Sequence, residues 1–340
     1  NDYIFIGAKI CYPGQMKGFW ETLPRPFFMQ APLANVTDAA FRRIIAKYSK
    51  PQGPHVMYTE FVSADGLIKG NRAVLMRDLQ FSQAERPIVA QFFTSDPGAM
   101  QEAAGLAQEL GFDGVDINMC CPDRSVEKAG AGAALIKNSA QARIVIEAAQ
   151  KGAQNLPISV KTRLGYNTDV LEEWLPALLT AKPAVVTLHA RTRKEMSKVP
   201  ARWERVKRAV EIRDAQKSDS LIVGNGDLKD LQDARVKAAM AQADGAMLGR
   251  AIFGTPWLFS YSQEYVNIER RLTIAIEHAA LFQELLGDSK SFAIMKKHFK
   301  AYVEGFPGAK ELRARLMATE NAAQVRGIIE NFLGEVYSPM

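Results

Sequence analysis

Eight short apolar runs, each followed by a helix-length segment, constrain this chain more than any other feature. They begin with Phe27-Phe28-Met29-Gln30-Ala31 and continue as Val56 to Val62, Pro87 to Phe93 and Gly114 to Met119. Ile158 to Arg163, Ala184 to His189, Leu221 to Gly226 and Gly245 to Arg250 complete the set. The runs are short and rich in β-branched residues, as strands covered on both faces are. The segments between them carry helix-start signals: Thr37 or Asp38 caps one helix and Pro97 opens another. This alternation predicts an α/β chain folded as a parallel (β/α)8 TIM barrel, and the span from Phe27 to about Phe259 is close to the roughly 250 residues typical of one. A doubly wound open sheet would need a glycine-rich phosphate turn after the first strand, and Ala31-Pro32-Leu33-Ala34-Asn35 is not one.

After Ser260 the strand signal stops. Ile268 to Leu286, Phe292 to Gly305, Lys310 to Thr319 and Ala322 to Phe332 are helical patterns, broken at Gly287-Asp288 and Phe306-Pro307-Gly308. The expected division is a lead-in over 1–26 packed on the barrel, a barrel over 27–260 and a helical bundle domain over 261–340. The lead-in is read as short strands at Tyr3 to Ile6 and Lys9 to Tyr12. With 340 residues and 47% hydrophobic composition, such a chain can bury a full core. Its apolar runs are too short to span a bilayer, and the N-terminus shows no signal-peptide pattern. Three cysteines fit reduced thiols in a cytoplasmic compartment. The net charge is +6, and residues 290–315 alone carry a surplus of +5, with Lys290, Lys296, Lys297, Lys300, Arg313 and Arg315 among the cations. A polyanionic partner fits that patch; so does a solvated helix face.

In a β/α barrel, polar residues at the C-terminal strand ends converge on one site. Nearly every strand here supplies one: Glu60, Gln91, Asn118 with Cys121, Lys161 with Arg163, His189 with Arg191, Asn225 with Asp227, and Arg250. Gly224-Asn225-Gly226-Asp227 and Gly249-Arg250 follow strands seven and eight, the usual phosphate site of such barrels. Gly249 to Gly254 matches a dinucleotide fingerprint only in part, because Ala251 stands at its third position. Free cysteines are commonly small buried hydrophobes, and Cys120 fits that role. Cys121 sits beside a polar Asn, precedes Pro122 and opens a glycine-rich loop, so it is read as the reactive thiol. No metal site is expected, because the four histidines lack ligand spacing. Lys161 is compatible with a Schiff base in principle.

These motifs together resemble the dihydrouridine synthases, flavin enzymes that reduce uridine in RNA. The resemblance covers about residues 27–335. It rests on the block from Ala31 to Asp38, on Asn118-Met119-Cys120-Cys121-Pro122, on Lys161-Thr162-Arg163, on His189-Ala190-Arg191-Thr192, and on the two glycine turns at Gly224 and Gly249. The bacterial B-type branch looks nearest. The resemblance implies an FMN-binding barrel, NADPH as reductant and tRNA as substrate, with a D-loop uridine reduced by hydride to C6 and a proton to C5. It maps the proton donor to Cys121. It maps flavin contacts to Ala31, Pro32, Leu33, Gln91, Lys161 and His189, and the phosphate grip to Asn225, Gly226, Asp227, Gly249 and Arg250. Substrate contacts are expected from Glu60, Asn118, Arg163 and Arg191, and from Lys296, Lys297, Lys300, Arg313 and Arg315 on the helical segment. A monomer without membrane or metal is expected. The family usually has Gly where this chain has Cys120. Two alternatives stay open at this point: an FMN barrel acting on a small molecule, such as a dihydroorotate-type dehydrogenase, and a catalytically silent RNA-binding barrel.

Overall fold

Eight parallel strands close on themselves in the computed structural model, which describes residues 17–70, 72–260 and 266–337. They are β1 (Phe27–Gln30), β2 (Met57–Ser63), β3 (Ile88–Phe93), β4 (Gly114–Asn118), β5 (Ile158–Arg163), β6 (Val185–His189), β7 (Leu221–Asn225) and β8 (Gly245–Leu248). The ladder runs β1-β8-β7-β6-β5-β4-β3-β2. A parallel bridge between Met29 and Val56, with Gln30 N–H donating to Val56 O at 3.1 Å, joins its two edges. The barrel expected from the sequence is the barrel observed, with strand bounds within about two residues of those read from it. The strands read at Tyr3 to Ile6 and Lys9 to Tyr12 lie outside the described residues.

Helices α1 (Ala39–Ser49), α2 (Ala64–Lys69), α3 (Arg72–Met76), α4 (Pro97–Glu109) and α5 (Arg124–Lys128) follow the first four strands. Next come α6 (Ser139–Gly152), α7 (Leu171–Leu179), α8 (Trp203–Ala215) and α9 (Leu231–Met240). The caps are local chemistry. Asp38, rather than Thr37, accepts from Phe41 N–H at 2.9 Å to start α1, and Asp96 accepts from Gly98 N–H ahead of Pro97. Successive strand residues point to opposite faces. One set, including Phe27, Met29, Tyr58, Val89, Val223 and Met247, fills the barrel interior as a separate cluster. Trp20 joins it from a single 3₁₀ turn and packs on Phe27 with ring centroids 5.6 Å apart. The N-terminal end is therefore stoppered, and the open end is the one where the strands finish. Each large side chain so buried contributes about 1.5–3 kcal/mol.

Beyond the barrel lie α10 (Ile268–Leu286), α11 (Met295–Tyr302), α12 (Ala309–Leu316) and α13 (Ala322–Tyr337). The helix expected over Phe292 to Gly305 is split, with a 3₁₀ turn at Phe292–Ile294 preceding α11. α10 packs on α1 of the barrel. Phe41 of α1 stacks on His278 of α10 at 5.0 Å, and His278 meets His298 of α11 edge-on at 4.5 Å.

Candidate active site

A cavity of about 660 Å³ occupies the open end of the barrel. Its size suits a cofactor or substrate, since ligand pockets run from roughly 300 to 1,000 Å³. The β1 end supplies Ala31, Pro32 and Leu33 as an apolar wall. Gln91 of β3 and Asn118 of β4 face in, as do Lys161 and Arg163 of β5 and His189 and Arg191 at the β6 end. Asn225, Gly226 and Asp227 after β7 and Gly249 with Arg250 after β8 complete the ring.

A buried relay sets the β4 end. Ser159 donates to Asp116 Oδ1 at 2.5 Å and Gln91 Nε2 donates to Asp116 Oδ2 at 2.6 Å. Asn118 Nδ2 donates to Gln91 Oε1 at 3.1 Å. Asn118 Oδ1 then accepts from the N–H of Cys120 at 3.0 Å and of Cys121 at 2.9 Å. Four side chains thus fix the turn that presents both thiols. Burial pushes Asp116 up to about 6, against the hydrogen bonds from Ser159 and Gln91.

Both cysteines line the cavity, and their environments differ. Lys161 Nζ stands 3.2 Å from Cys120 Sγ, and His189 Nδ1 stands 4.0 Å from it. Arg191 Nη1 lies 3.3 Å from His189 Nε2. Arginine can only donate, so Nε2 accepts and the ring proton sits on Nδ1, facing the sulfur. Burial raises the Cys120 pKa, but Lys161 and Arg163 outweigh it and hold the thiol below its usual value. Burial, with the charges of Lys161 and Arg163, drives His189 well below its usual value, so it is neutral. At Cys121 burial is the largest effect and raises the pKa, although Arg163 pulls against it. At neutral pH it is a protonated thiol.

A model of the dihydrouridine synthases matches residues 29–336. A probable tRNA-dihydrouridine synthase of Staphylococcus epidermidis is 38% identical over 93% of this chain and 96% of its own. A probable tRNA-dihydrouridine synthase 2 of Bacillus subtilis is 38% identical over 93% and 97%. This chain belongs to the dihydrouridine synthase family. Among solved structures, histamine dehydrogenase from Rhizobium sp. 4-9 matches with a TM-score of 0.50 at 15% identity, over 80% of this chain and 51% of that one. An amine oxidase from Pseudomonas geniculata gives 0.51 at 12%, over 80% and 52%. The synthase spans about half of each, and at such identities they show the barrel alone. Membership sets aside the dihydroorotate-type alternative.

In this synthase the cavity does not collect every residue singled out from the sequence. Glu60 does not line it. Its carboxylate accepts from Asn35 N–H and from Lys290 Nζ at 2.6 Å, which also reaches Asp78 at 2.7 Å. Lys290 therefore leaves the basic patch: it is an internal clamp between the barrel and the helices. Lys296, Lys297, Lys300, Arg313 and Arg315 lie away from the cavity on the helical segment. Lys297, Lys300 and Arg315 are exposed, whereas Arg313 donates to Val303 O at 3.1 Å. Cys120 is not an inert apolar residue, because Lys161 reaches its sulfur. Asp116 and Phe61 carried no sequence signal as site residues. Asp116 was hidden inside an otherwise apolar strand, although a carboxylate there must find partners. Among the described residues no cluster of three or more His, Cys, Asp or Glu is placed to hold a metal, and no helix is long and apolar enough to cross a membrane.

The loops around the mouth are tied together. Arg193 grips Glu127 with two hydrogen bonds, joining the loop after β6 to α5. Arg163 donates from Nε to Cys120 O at 2.8 Å and from Nη1 to Thr192 O at 3.2 Å. Asp227 holds Arg191 on one oxygen and Arg250 on the other, at 2.7 Å.

Proposed function

We propose that this cavity binds FMN and a tRNA uridine together, and that the chain reduces the uridine's C5–C6 bond to dihydrouridine. The observation that carries the reading is the unequal surroundings of the two thiols in one cavity: Lys161 against Cys120, and Cys121 with its pKa raised beside the same space. A thiol kept protonated at neutral pH is a general acid.

The residues present fit FMN. Gly226, at φ 126°, has no room for a Cβ, which would meet Ala201 at 2.8 Å, so its bare backbone can approach a phosphate. Gly249 and Arg250 adjoin it in the cavity wall, and the Arg250 side chain, 66% exposed, has donors to spare beyond Asp227. The apolar wall at Ala31, Pro32 and Leu33 suits a flat ring, with Gln91 keeping one N–H free after its bond to Asp116. FMN held there would supply the hydride for uracil C6, with NADPH as the reductant. Cys121 then delivers its proton to C5. Lys161 would place positive charge beside an electron-rich ring bound there, and neutral His189 holds its Nδ1–H toward Cys120. Arg163 and Arg191 keep the cavity wall in place through backbone carbonyls. Residues 261–340, with Lys296, Lys297, Lys300, Arg313 and Arg315, form the unit that holds RNA phosphates. The barrel ends near residue 260, 1–26 is its lead-in, and the chain works as a monomer on the D-loop.

The test is direct. The purified protein should be yellow, and with NADPH it should convert uridine to dihydrouridine in tRNA from a strain lacking the activity. Dihydrouridine mapping with and without complementation identifies the position. Colourless protein that leaves uridine untouched after FMN is added would overturn the reading.

A further inference from the structure

The loop between β6 and α8 ends in a fixed apolar tip. Met196 and Val199 are 39% and 38% exposed, two of the few large hydrophobic side chains left open among the described residues. Single exposed hydrophobics need no explanation. This pair, however, stands at the cavity mouth, because Ser197 between them lines the cavity. The tip is pinned from within. Arg191 Nε donates to Val199 O at 2.6 Å, and Thr192 N–H donates to Glu195 at 2.6 Å. Arg163 reaches Met196 O at 3.5 Å from the cavity wall. Met196 itself has φ 56°, a left-handed conformation that suits Gly or Asn better than a long side chain. Such strain persists only where the surroundings hold it, and it gathers at working parts of a protein. Lys194 and Lys198 flank the tip and are exposed.

Uridine in a folded RNA is stacked, and an enzyme acting on its ring must draw it out. Proteins that unstack bases insert apolar side chains, Met among them, into the gap. Nearby lysines neutralise phosphates. We propose that Met196, backed by Val199, is the positioning residue that fills the place left by the target uridine, with Lys194 and Lys198 on the flanking phosphates. The proposal rests on the reading that the cavity takes an RNA uridine.

The test uses holoenzyme and two substrates: a folded tRNA transcript with 2-aminopurine beside the target, and a short single strand with the same uridine. Met196→Asn tolerates the positive φ and removes the apolar chain; Met196→Leu keeps the chain apolar. Met196→Asn should slow single-turnover uridine reduction on folded tRNA by about tenfold while changing the already unstacked single strand little. It should also lose the rise in 2-aminopurine fluorescence on binding, and Met196→Leu should restore both. Flavin reduction by NADPH should be unchanged. Three outcomes overturn the proposal: wild-type behaviour of Met196→Asn on folded tRNA, an equal loss on both RNAs, or a changed NADPH step. If wild-type enzyme makes no dihydrouridine on either RNA, the substrate reading fails first and takes the proposal with it.

Discussion

Lys161 Nζ lies 3.2 Å from Cys120 Sγ, whereas at the adjacent Cys121 burial outweighs the pull of Arg163. One lysine thereby helps shift two neighbouring thiols in opposite directions, since an opposite charge stabilises a thiolate and burial opposes it.

Cys121→Ala should retain flavin and NADPH oxidation but lose about 10²–10⁴-fold in uridine reduction, the usual cost of a missing general acid. Cys120→Ala and Cys120→Gly should stay active. The general acid works in its protonated form and its pKa is raised, so the wild-type rate should hold steady through neutral pH and fall only on the alkaline side. Single-turnover reoxidation of reduced flavin by RNA measures all three. A dead Cys120→Ala with a working Cys121→Ala would reverse the assignment.

Arg250→Ala should release flavin more readily. Arg250 is the exposed cation between the β7 and β8 turns, where the phosphate is proposed to sit, and is oriented by Asp227. Flavin absorbance per protein after dialysis reports the loss, and unchanged occupancy would place the phosphate elsewhere.

Asp116→Asn should destabilise the fold by about 1–3 kcal/mol, because an amide sets an N–H against Ser159 or Gln91 and leaves a buried donor unpaired. The relay to Asn118 would loosen with it. A melting curve beside the Cys121 activity assay checks both, and a variant with native melting and native activity would show the relay to be dispensable.

Acid should weaken the contact between α1 and the helices beyond the barrel. Burial, with mutual repulsion from His298, holds His278 well below its usual value; burial, with Lys297, lowers His298 to about 3. Both folded values lie below the unfolded value of about 6.5, so their stabilising effect is complete above that pH and is lost as pH falls. Asp38, raised to about 7 by burial and Glu60, works the other way between about 4 and 7. Across the molecule His189 and His55, also lowered, add to the loss, and Asp116, raised to about 6, joins Asp38 in opposing it; four histidines against two carboxylates leave a net loss of stability on going from pH 6.5 to 5. His298→Leu should reduce that slope in thermal melts; equal slopes in the two proteins would count against the buried pair as its source.

Charge reversal at Lys297 and Lys300 should weaken RNA binding and lower the salt slope of log K by about 0.9 or less per lost phosphate contact. Lys290→Ala should behave differently. It should lower the melting temperature, because Glu60 and Asp78 lose their shared cation. If Lys290→Ala changes only RNA affinity, the clamp is not structural.

The sequence by itself determined the barrel and most of its cavity. Strand and helix periods are local, and caps such as Asp38 and Asp96 act within three residues. In a parallel barrel all strands finish at one mouth, so polar residues in phase at strand ends, from Gln91 to Arg250, must meet there. Tertiary structure alone decided what those residues do to one another. Cys120 looked like packing because its partner Lys161 comes 41 residues later. Lys290 looked like part of a basic face because Glu60 lies 230 residues earlier. Asp116 gave no local sign of its partners, because Gln91 and Ser159 lie 25 and 43 residues away in the chain. Charge state and burial depend on distance through space, raised or lowered by every neighbour the fold brings near, and no local pattern in the chain encodes those distances.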